Sequence, residues 1–224
     1  VESARALASS LVAVGRVMGR KVSAFITDMN QPLGRMVGNA LEIRETIDCL
    51  QGKGPEDVMS ISRALTAEML VLAGKAASFE KGGEQFDAVI KSGAAFEKFK
   101  AMVANQGGDT TVLDDPRKLP GAARQIGVKA LTSGYITRMD SVGIGIAGIL
   151  LGGGREKSED AIDYGVGIEV LKKIGDGITA GETMAVLHCN PGSRGEEAVK
   201  KYTTAVTIGT VRPQPPVLIV DRMS

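Results

Sequence analysis

Residues 25 to 50 read FITDMNQPLGRMVGNALEIRETIDCL, and this stretch decides the fold. An apolar run ends there in a polar turn rich in Asp, Asn and Pro, which are turn-forming residues. Asn39, followed by Glu42 three residues later, is typical of a capped helix N-terminus. Helical spacing then predicts one buried face, formed by Ala40, Ile43, Ile47 and Leu50.

This order of elements is strand, glycine-bearing loop and helix. Gly34 and Gly38 permit sharp turns or a close approach of the backbone to a neighbour. In α/β proteins, binding sites gather at the carboxyl ends of strands. We therefore expect the loop over residues 28 to 38 to lie at a functional site.

Residues 1 to 117 read as a helix-rich unit that is short of strands. Predicted elements are a helix over 4–18 with Leu7, Leu11, Val14 and Met18 on one face, a short buried strand from Lys21 to Ile26, a helix after Pro55, and two shorter helices over 84–104. Such a unit cannot complete a sheet alone, so we interpret it as a partial mixed α/β domain.

Residues 105 to 121 are rich in Gly, Asp and Pro, which indicates a boundary between residues 117 and 118. Beyond it we predict two strands over 128–139, a short apolar helix after Asp140, strands near 166–170 and 184–188, a helix over 195–206 and an edge strand from Pro213 to Val220. Residues 118 to 224 therefore read as a compact, barrel-like α+β domain. The fold class of the whole chain is α/β.

Composition excludes several classes of partner. The formal net charge of +1 and the 4% aromatic content argue against a nucleic-acid surface. No apolar run approaches the ~20 residues that span a bilayer, and nothing reads as a signal peptide. Cys49 and Cys189 are isolated and lack metal-site spacing, which favours reduced thiols in a cytoplasmic protein.

Several glycine-punctuated motifs point to one family. They are Ile-Thr-Asp-Met-Asn-Gln-Pro-Leu-Gly at 26–34, Leu-Gly-Gly-Gly-Arg at 151–155, Asp-Tyr-Gly-Val-Gly at 163–167 and Lys-Ile-Gly-Asp at 173–176. Through them the chain resembles the pyrimidine-nucleoside phosphorylase and thymidine phosphorylase family. The resemblance implies a homodimeric pentosyltransferase that uses phosphate as co-substrate to convert uridine, deoxyuridine or thymidine into free base and pentose 1-phosphate.

The resemblance covers only the carboxy-terminal half of such an enzyme. The family's phosphate-binding segment, of the type Lys-x-Ser-x-Gly-Gly, is absent, as are its pyrimidine-holding Arg and Lys. The chain starts without Met, on a helix already under way, so we expect a fragment that is inactive without an amino-terminal part. No catalytic or substrate-binding residue can then be assigned. Two alternatives remain, a thymidine phosphorylase restricted to deoxyribonucleosides and a non-catalytic binding or assembly module.

The resemblance also implies a potassium ion beside the phosphate site. The family's spacing of ligands places the backbone carbonyls of Leu33 and Met36 and the carboxylate of Glu45 around it. Carbonyl dipoles and one carboxylate suit a monovalent ion. From the residues alone, Glu45 reads as a solvated surface acid, because it lies on the side of the helix away from Ile43 and Ile47.

Four other features could be read as functional sites, but each also has an ordinary structural explanation. The Gly-x-Gly-x-x-Gly pattern at 143–148 matches a dinucleotide fingerprint weakly and suits close helix packing. His188 and Cys189 are strand neighbours and so point to opposite sides. The pair Lys172 and Lys173 reads as a solvated face. Asp28 is either an Asx-turn former or an organiser of the phosphate-side loops.

Overall fold

The computed structural model describes residues 1–224 and has the predicted mixed α/β character. The first part, residues 1–117, is mainly helical. Its helices are α1 (Glu2–Val17), α2 (Asn39–Leu50), α3 (Glu56–Leu72), α4 (Phe79–Lys91), α5 (Ala94–Asn105) and α6 (Thr111–Asp114). Its strands are short: β1 (Ala24–Thr27) and β2 (Met36–Val37).

The second part, residues 118–224, holds most of the strands. In chain order its elements are β3 (Arg124–Lys129), β4 (Gly134–Met139), α7 (Ser141–Leu150), β5 (Gly167–Val170), β6 (Gly177–Ile178), β7 (Thr183–Cys189), α8 (Gly195–Ala205), β8 (Val206–Gly209) and β9 (Ile219–Met223). No helix in the chain has both the length and the apolar character needed to cross a membrane.

All strand pairs are antiparallel and form three sheets. Their strand orders are β2-β5-β7-β3, β6-β4-β8 and β1-β9. Strands β3 and β4 confirm the pair expected over 128–139, although they lie in different sheets. The main hydrophobic cluster runs from Val128 to Ala205 and lies entirely in the second part. The predicted inward residues of α8 belong to it: Ala198, Tyr202 and Ala205.

Strand pairing joins the two parts in two places. Strand β2 adds a fourth strand to the edge of the sheet formed by β5, β7 and β3, where the amide of Val170 donates to the carbonyl of Arg35 at 2.7 Å. Strand β9 pairs with β1, so that Ala24 lies opposite Met223. The loop between β1 and β2 is therefore held at both ends against the second part. The domain boundary between residues 117 and 118 stays a prediction.

The first part buries less than its sequence pattern indicated. Strand β1 begins at Ala24 rather than Lys21, and only Ile26 in it is buried, because β9 is its sole strand neighbour. The buried face of α2 is formed by Ala40, Leu41 and Ile47, whereas Ile43 is 36% exposed. The predicted face was thus wrong by a small rotation, since Leu41 packs toward β5 and the residues around Gly167.

The end of the chain also departs from the expectation. The predicted strand from Pro213 to Val220 was wrong in its limits, because β9 starts only at Ile219. Prolines at 213, 215 and 216 lack the N–H that a strand ladder needs. Strand β8 was missed because it follows α8 directly, without turn residues to mark it. Strand β6 has only 2 residues, too few for a periodic pattern.

Candidate functional site

Residues 28–38, which form a loop and the short strand β2, connect β1 to α2, as the sequence order predicted. Gly34 and Gly38 have positive φ angles of 70° and 136°, which favour glycine. The predicted cap of α2 was wrong by one residue: Gly38 is the N-cap, and its amide donates to the carboxylate of Glu42 at 2.9 Å. Asn39 already lies in the helix, and its side-chain amide donates to the carbonyl of Gly153.

The structure brings the three residues assigned to the cation together. Leu33, Met36 and Glu45 line one cavity of about 390 Å³ between the loop, α2 and the start of α3. Glu42, Cys49 and Val58 complete much of the wall. Their role as cation ligands stays a prediction, but their common location is a feature of the fold.

Glu45 is not the solvated surface acid that its position on the helix allowed. Its Oε1 atom accepts a hydrogen bond from the amide of Arg35 at 2.8 Å. Its Oε2 atom lies so close to Gly34 that a Cβ on that residue would be 2.1 Å away. Burial raises the pKa of the Glu45 carboxyl, and the amides of Arg35 and Met36 lower it only in part. A partly desolvated carboxylate therefore faces the loop.

Two loop carbonyls are free to act as ligands beside it. The carbonyl of Leu33 accepts no hydrogen bond from within the chain. In an antiparallel pair, successive residues direct their backbone groups alternately toward and away from the partner strand. Because Arg35 bonds to Val170 of β5, the carbonyl of Met36 points away from that strand.

This donor set fits a potassium ion. Potassium takes carbonyl and carboxylate oxygens, and the cavity offers both kinds. The thiol of Cys49 also lines the cavity, but burial raises its pKa to about 11, so it stays protonated and is a poor ligand at neutral pH. No group of three or more His, Cys, Asp or Glu side chains in the chain could hold a metal ion.

A partly buried ion pair fixes the loop to both parts of the chain. The ammonium of Lys173 lies 3.0 Å from Asp57 Oδ2 and also donates to the carbonyl of Pro32. The same Oδ2 atom accepts the amide of Gly34 at 3.1 Å. Burial disfavours the Asp57 carboxylate, but Lys173 and the amides of Val58 and Gly34 outweigh that effect and keep its pKa below the usual value.

The interpretation of Lys172 and Lys173 as a solvated face was therefore wrong. The Lys173 side chain is 14% exposed and pairs with Asp57. Lys172 pairs with Glu182 at 2.6 Å and donates to the carbonyl of Gly177. Both lysines follow β5 at a turn that packs against other segments, so their charges are compensated within the chain.

Two further contacts hold the loop against the same turn. The side-chain carbonyl of Gln31 accepts the amide of Ile174 at 3.0 Å. The guanidinium of Arg35 donates to the carbonyl of Leu171 at 2.9 Å. Side chains of the loop thus bind backbone groups of the turn. The position of the cavity wall consequently depends on the second part.

Asp28 forms the Asx turn that its residue type favours. Its Oδ1 atom accepts from the backbone and side-chain amides of Asn30. A role for Asp28 on the phosphate side of the loop stays a prediction. The neighbouring carbonyl of Met29 accepts the hydroxyl of Ser141 at 2.8 Å, which adds a contact with the start of α7.

The glycines at 143–148 lie inside α7 rather than in a loop after a strand, so they do not form a dinucleotide-binding turn. At Gly143 a Cβ would be 3.0 Å from the Cβ of Ala205, which confirms close packing on α8. At Gly145 and Gly148 a Cβ would meet nothing within 4 Å, so close packing does not explain those two.

His188 and Cys189 face opposite sides of β7, as their adjacency predicted. Cys189 is buried and accepts from the guanidinium of Arg124 at 3.2 Å. His188 Nε2 lies 3.9 Å from Glu169 on β5. The two side chains do not form a nucleophile–base pair.

Asp57, Lys173 and Arg35 are the site residues that the sequence analysis did not identify. Asp57 lies in the first turn of α3, where an acid favours the helix N-terminus, and this position gives no sign of a partner. Lys173 is 116 residues away from it, and no local pattern reveals such a pairing. The one available signal was the Lys-Ile-Gly-Asp motif, which carried the family resemblance without a role.

Comparison with known proteins gives a consistent result for both parts. Residues 1–96 match the family described as "Glycosyl transferase family, a/b domain", and residues 135–209 match "Pyrimidine nucleoside phosphorylase C-terminal domain". Proteins named pyrimidine-nucleoside phosphorylase from Staphylococcus aureus strains USA300 and COL are each 47% identical over 208 residues, which is 93% of this chain. The chain spans about half, 48%, of the length of each.

Proposed function

Because the chain belongs to the pyrimidine-nucleoside phosphorylase family, we propose that it forms the carboxy-terminal part of an enzyme that cleaves pyrimidine nucleosides with phosphate. In this reaction a phosphate oxygen bonds to the anomeric carbon of the sugar, and the bond from that carbon to the pyrimidine nitrogen breaks. The electron pair leaves with the base, which takes up a proton. The products are the free base and a pentose 1-phosphate.

The observation that best supports this proposal is the loop at Gly34. It joins β1 to α2, has two carbonyls free for a ligand and holds the partly desolvated carboxylate of Glu45 against its backbone. Phosphorolysis brings together an anionic nucleophile and a leaving base that gains negative charge. Fixed positive charge and rigid positioning are therefore what the protein must supply.

In the proposed enzyme the residues of this chain position rather than react. Leu33, Met36 and Glu45 would hold a potassium ion, which when bound supplies a fixed positive charge near the phosphate. Asp57 and Lys173 keep the loop in place through the amide of Gly34 and the carbonyl of Pro32. The amino-terminal part would provide the groups that contact phosphate and pyrimidine.

The test of the reaction is an assay of two polypeptides. One is this chain alone, and the other is the chain fused behind the amino-terminal half of the Staphylococcus aureus relative. The relative's own full-length enzyme serves as the positive control. Release of uracil or thymine from uridine, deoxyuridine and thymidine is measured with and without phosphate.

We expect phosphate-dependent release by the fusion and none by the chain alone. Release from deoxyuridine and thymidine but not uridine would identify the restricted, thymidine-type specificity. A folded fusion that releases no base would contradict the proposed reaction and favour a non-catalytic module. Activity of the chain alone would contradict its assignment as a part of the enzyme. Light scattering on the fusion tests the homodimer that we also propose.

The proposed potassium dependence has its own test in the same fusion. Activity is compared in potassium chloride and in tetramethylammonium chloride, whose methyl groups keep the positive charge from direct contact with oxygen ligands. Glu45→Gln is expected to abolish the difference, because the neutral amide no longer attracts the cation. Glu42→Gln is the matched control, since that carboxylate lines the cavity but bonds to the amide of Gly38.

A further inference from the structure

Lys173 places a positive charge beside the candidate cation site. Its ammonium donates to the carbonyl of Pro32, the residue before the proposed ligand Leu33, and lies 3.0 Å from Asp57 Oδ2. Its side chain is 14% exposed and that of Asp57 is 27% exposed, so water screens the pair only partly. The pair does not line the cavity itself, but it contacts the backbone of Pro32 and Gly34 on either side of the proposed ligand Leu33.

The charges around the proposed ligands leave a small negative excess. Asp57 and Lys173 are the charged neighbours that act on the Glu45 carboxylate, with opposite signs. They cancel each other and leave the single negative charge of Glu45. Glu42 and Arg35 also lie nearby, but they carry opposite charges and bond to backbone groups of Gly38 and Leu171.

One excess negative charge matches one positive charge. A monovalent cation neutralises such a site, whereas a divalent cation would leave an uncompensated positive charge next to the Lys173 ammonium. Sites for divalent calcium normally contain several carboxylates. Glu45 and Asp57 alone would give the site a charge of −2, which suits a divalent cation. The Lys173 ammonium reduces this negative charge to −1, which suits a monovalent cation.

We propose that Lys173 sets the charge selectivity of the candidate cation site, so that a monovalent ion is bound in preference to a divalent one. This inference rests on the proposed cation site and adds to it a residue that lies outside the ligand set. Lys173 acts through charge and through Asp57, and is thus a positioning and selectivity residue rather than a ligand.

A set of four proteins separates charge from structure. Counting Glu45, Asp57 and Lys173, the wild-type chain has an excess charge of −1, Lys173→Gln has −2, Asp57→Asn has 0, and the double variant returns to −1. A structural role alone predicts that every variant weakens the binding of every cation. Lys172→Gln is the matched control, because it removes a paired lysine one residue away that faces Glu182.

The measurements use the 224-residue chain itself. Thallium(I) replaces potassium and is followed by its NMR signal, and manganese(II) is followed by electron paramagnetic resonance. We expect Lys173→Gln to bind manganese at least on the order of tenfold more tightly than wild type does, from the Coulomb energy of one added charge. Asp57→Asn should weaken thallium binding by a similar factor, and the double variant should restore the wild-type preference.

Two results would overturn the inference. The first is unchanged manganese binding in Lys173→Gln, and the second is a gain that persists when Glu45→Gln is added. Lack of a thallium response in both the wild-type chain and the fused polypeptide would count against the proposed potassium site, while the manganese comparison still decides the role of Lys173. Circular dichroism checks folding. If Lys173→Gln does not fold, unchanged thallium binding in Asp57→Asn overturns the inference instead.

Discussion

The ammonium of Lys173 lies 3.0 Å from the carboxylate of Asp57, although the two residues are 116 positions apart in the chain. This pair joins the turn after β5 to the N-terminus of α3. Through the amide of Gly34 and the carbonyl of Pro32 it also fixes the loop that carries the proposed ligands. One ion pair thus links the two parts of the chain at the candidate site.

Breaking this pair should destabilise the fold. Lys173→Met leaves the Asp57 carboxylate partly buried without its counter-charge, and we expect a loss of about 1–3 kcal/mol in the free energy of unfolding, less than for a fully buried pair. Asp57→Asn in the Lys173→Met background should cost little more. Urea unfolding of the wild type, both single variants and the double variant gives the coupling energy. Additive single effects would contradict the pairing.

Gly34→Ala should weaken cation binding, whereas Gly19→Ala should not. Gly34 and Gly19 both have φ near 70°, so alanine at either position costs about 1–2 kcal/mol of backbone strain. A Cβ at Gly34 would also meet Glu45 Oε2 at 2.1 Å, whereas at Gly19 it meets nothing within 4 Å. We expect only Gly34→Ala to displace the Glu45 carboxylate and reduce thallium binding. Equal binding by both variants would contradict the contact.

Strand β9 should owe part of its attachment to Arg222. The guanidinium lies 2.6 Å from the buried Glu68 carboxylate, in ion-pair rather than directed hydrogen-bond geometry, and packs over the Phe79 ring. Arg222→Ala leaves Glu68 without its counter-charge, and we expect a loss of about 1–3 kcal/mol in the free energy of unfolding. Arg5→Ala removes a more exposed pair with Asp221 and should cost much less. Equal losses in urea unfolding would contradict the difference.

His188 should make stability fall as the pH is lowered through its titration range. Burial lowers the pKa of its imidazole, and the positive charge of Arg44 adds to this, although the nearby Glu169 acts in the opposite direction. Below the usual histidine pKa of about 6.5, the unfolded chain takes up a proton that the folded chain resists. The contribution is therefore present above that pH and lost as the pH falls toward the folded pKa.

The measurement is the free energy of unfolding at several pH values between 7 and 5.5, a range in which most carboxyl groups stay ionised. Gln125, whose side chain lies 3.5 Å from the His188 Nδ1 atom, is left unchanged. We expect His188→Gln to show a shallower decline than the wild type. Parallel curves would show that His188 does not titrate differently in the folded state.

Local patterns in the sequence predicted the loop and its flanking elements well. Turn residues, glycines and helical periodicity are short-range signals, and they located β1, α2 and the loop between them. The position of Leu33, Met36 and Glu45 around one cavity followed from the family resemblance. Periodicity alone would have left Glu45 on the solvent side of α2.

Contacts between residues far apart in the chain could not be predicted from local sequence patterns. The contacts of Lys173 with Asp57 and of Arg222 with Glu68 depend on how distant segments pack, and neither has a sequence spacing that recurs. The same holds for β2 and β8, which are short and gain their stability from a neighbouring strand. Lys173 looked like a surface residue because lysine is rarely buried unless it is paired.

The most direct test of the candidate site is X-ray diffraction from crystals of the fused polypeptide soaked in a thallium(I) salt. Thallium scatters anomalously and substitutes for potassium. We expect one strong anomalous peak bounded by the carbonyls of Leu33 and Met36 and the carboxylate of Glu45, and no peak there in Glu45→Gln. A well-ordered loop with no peak, or a peak only at another place, would contradict the assignment of these residues to a cation.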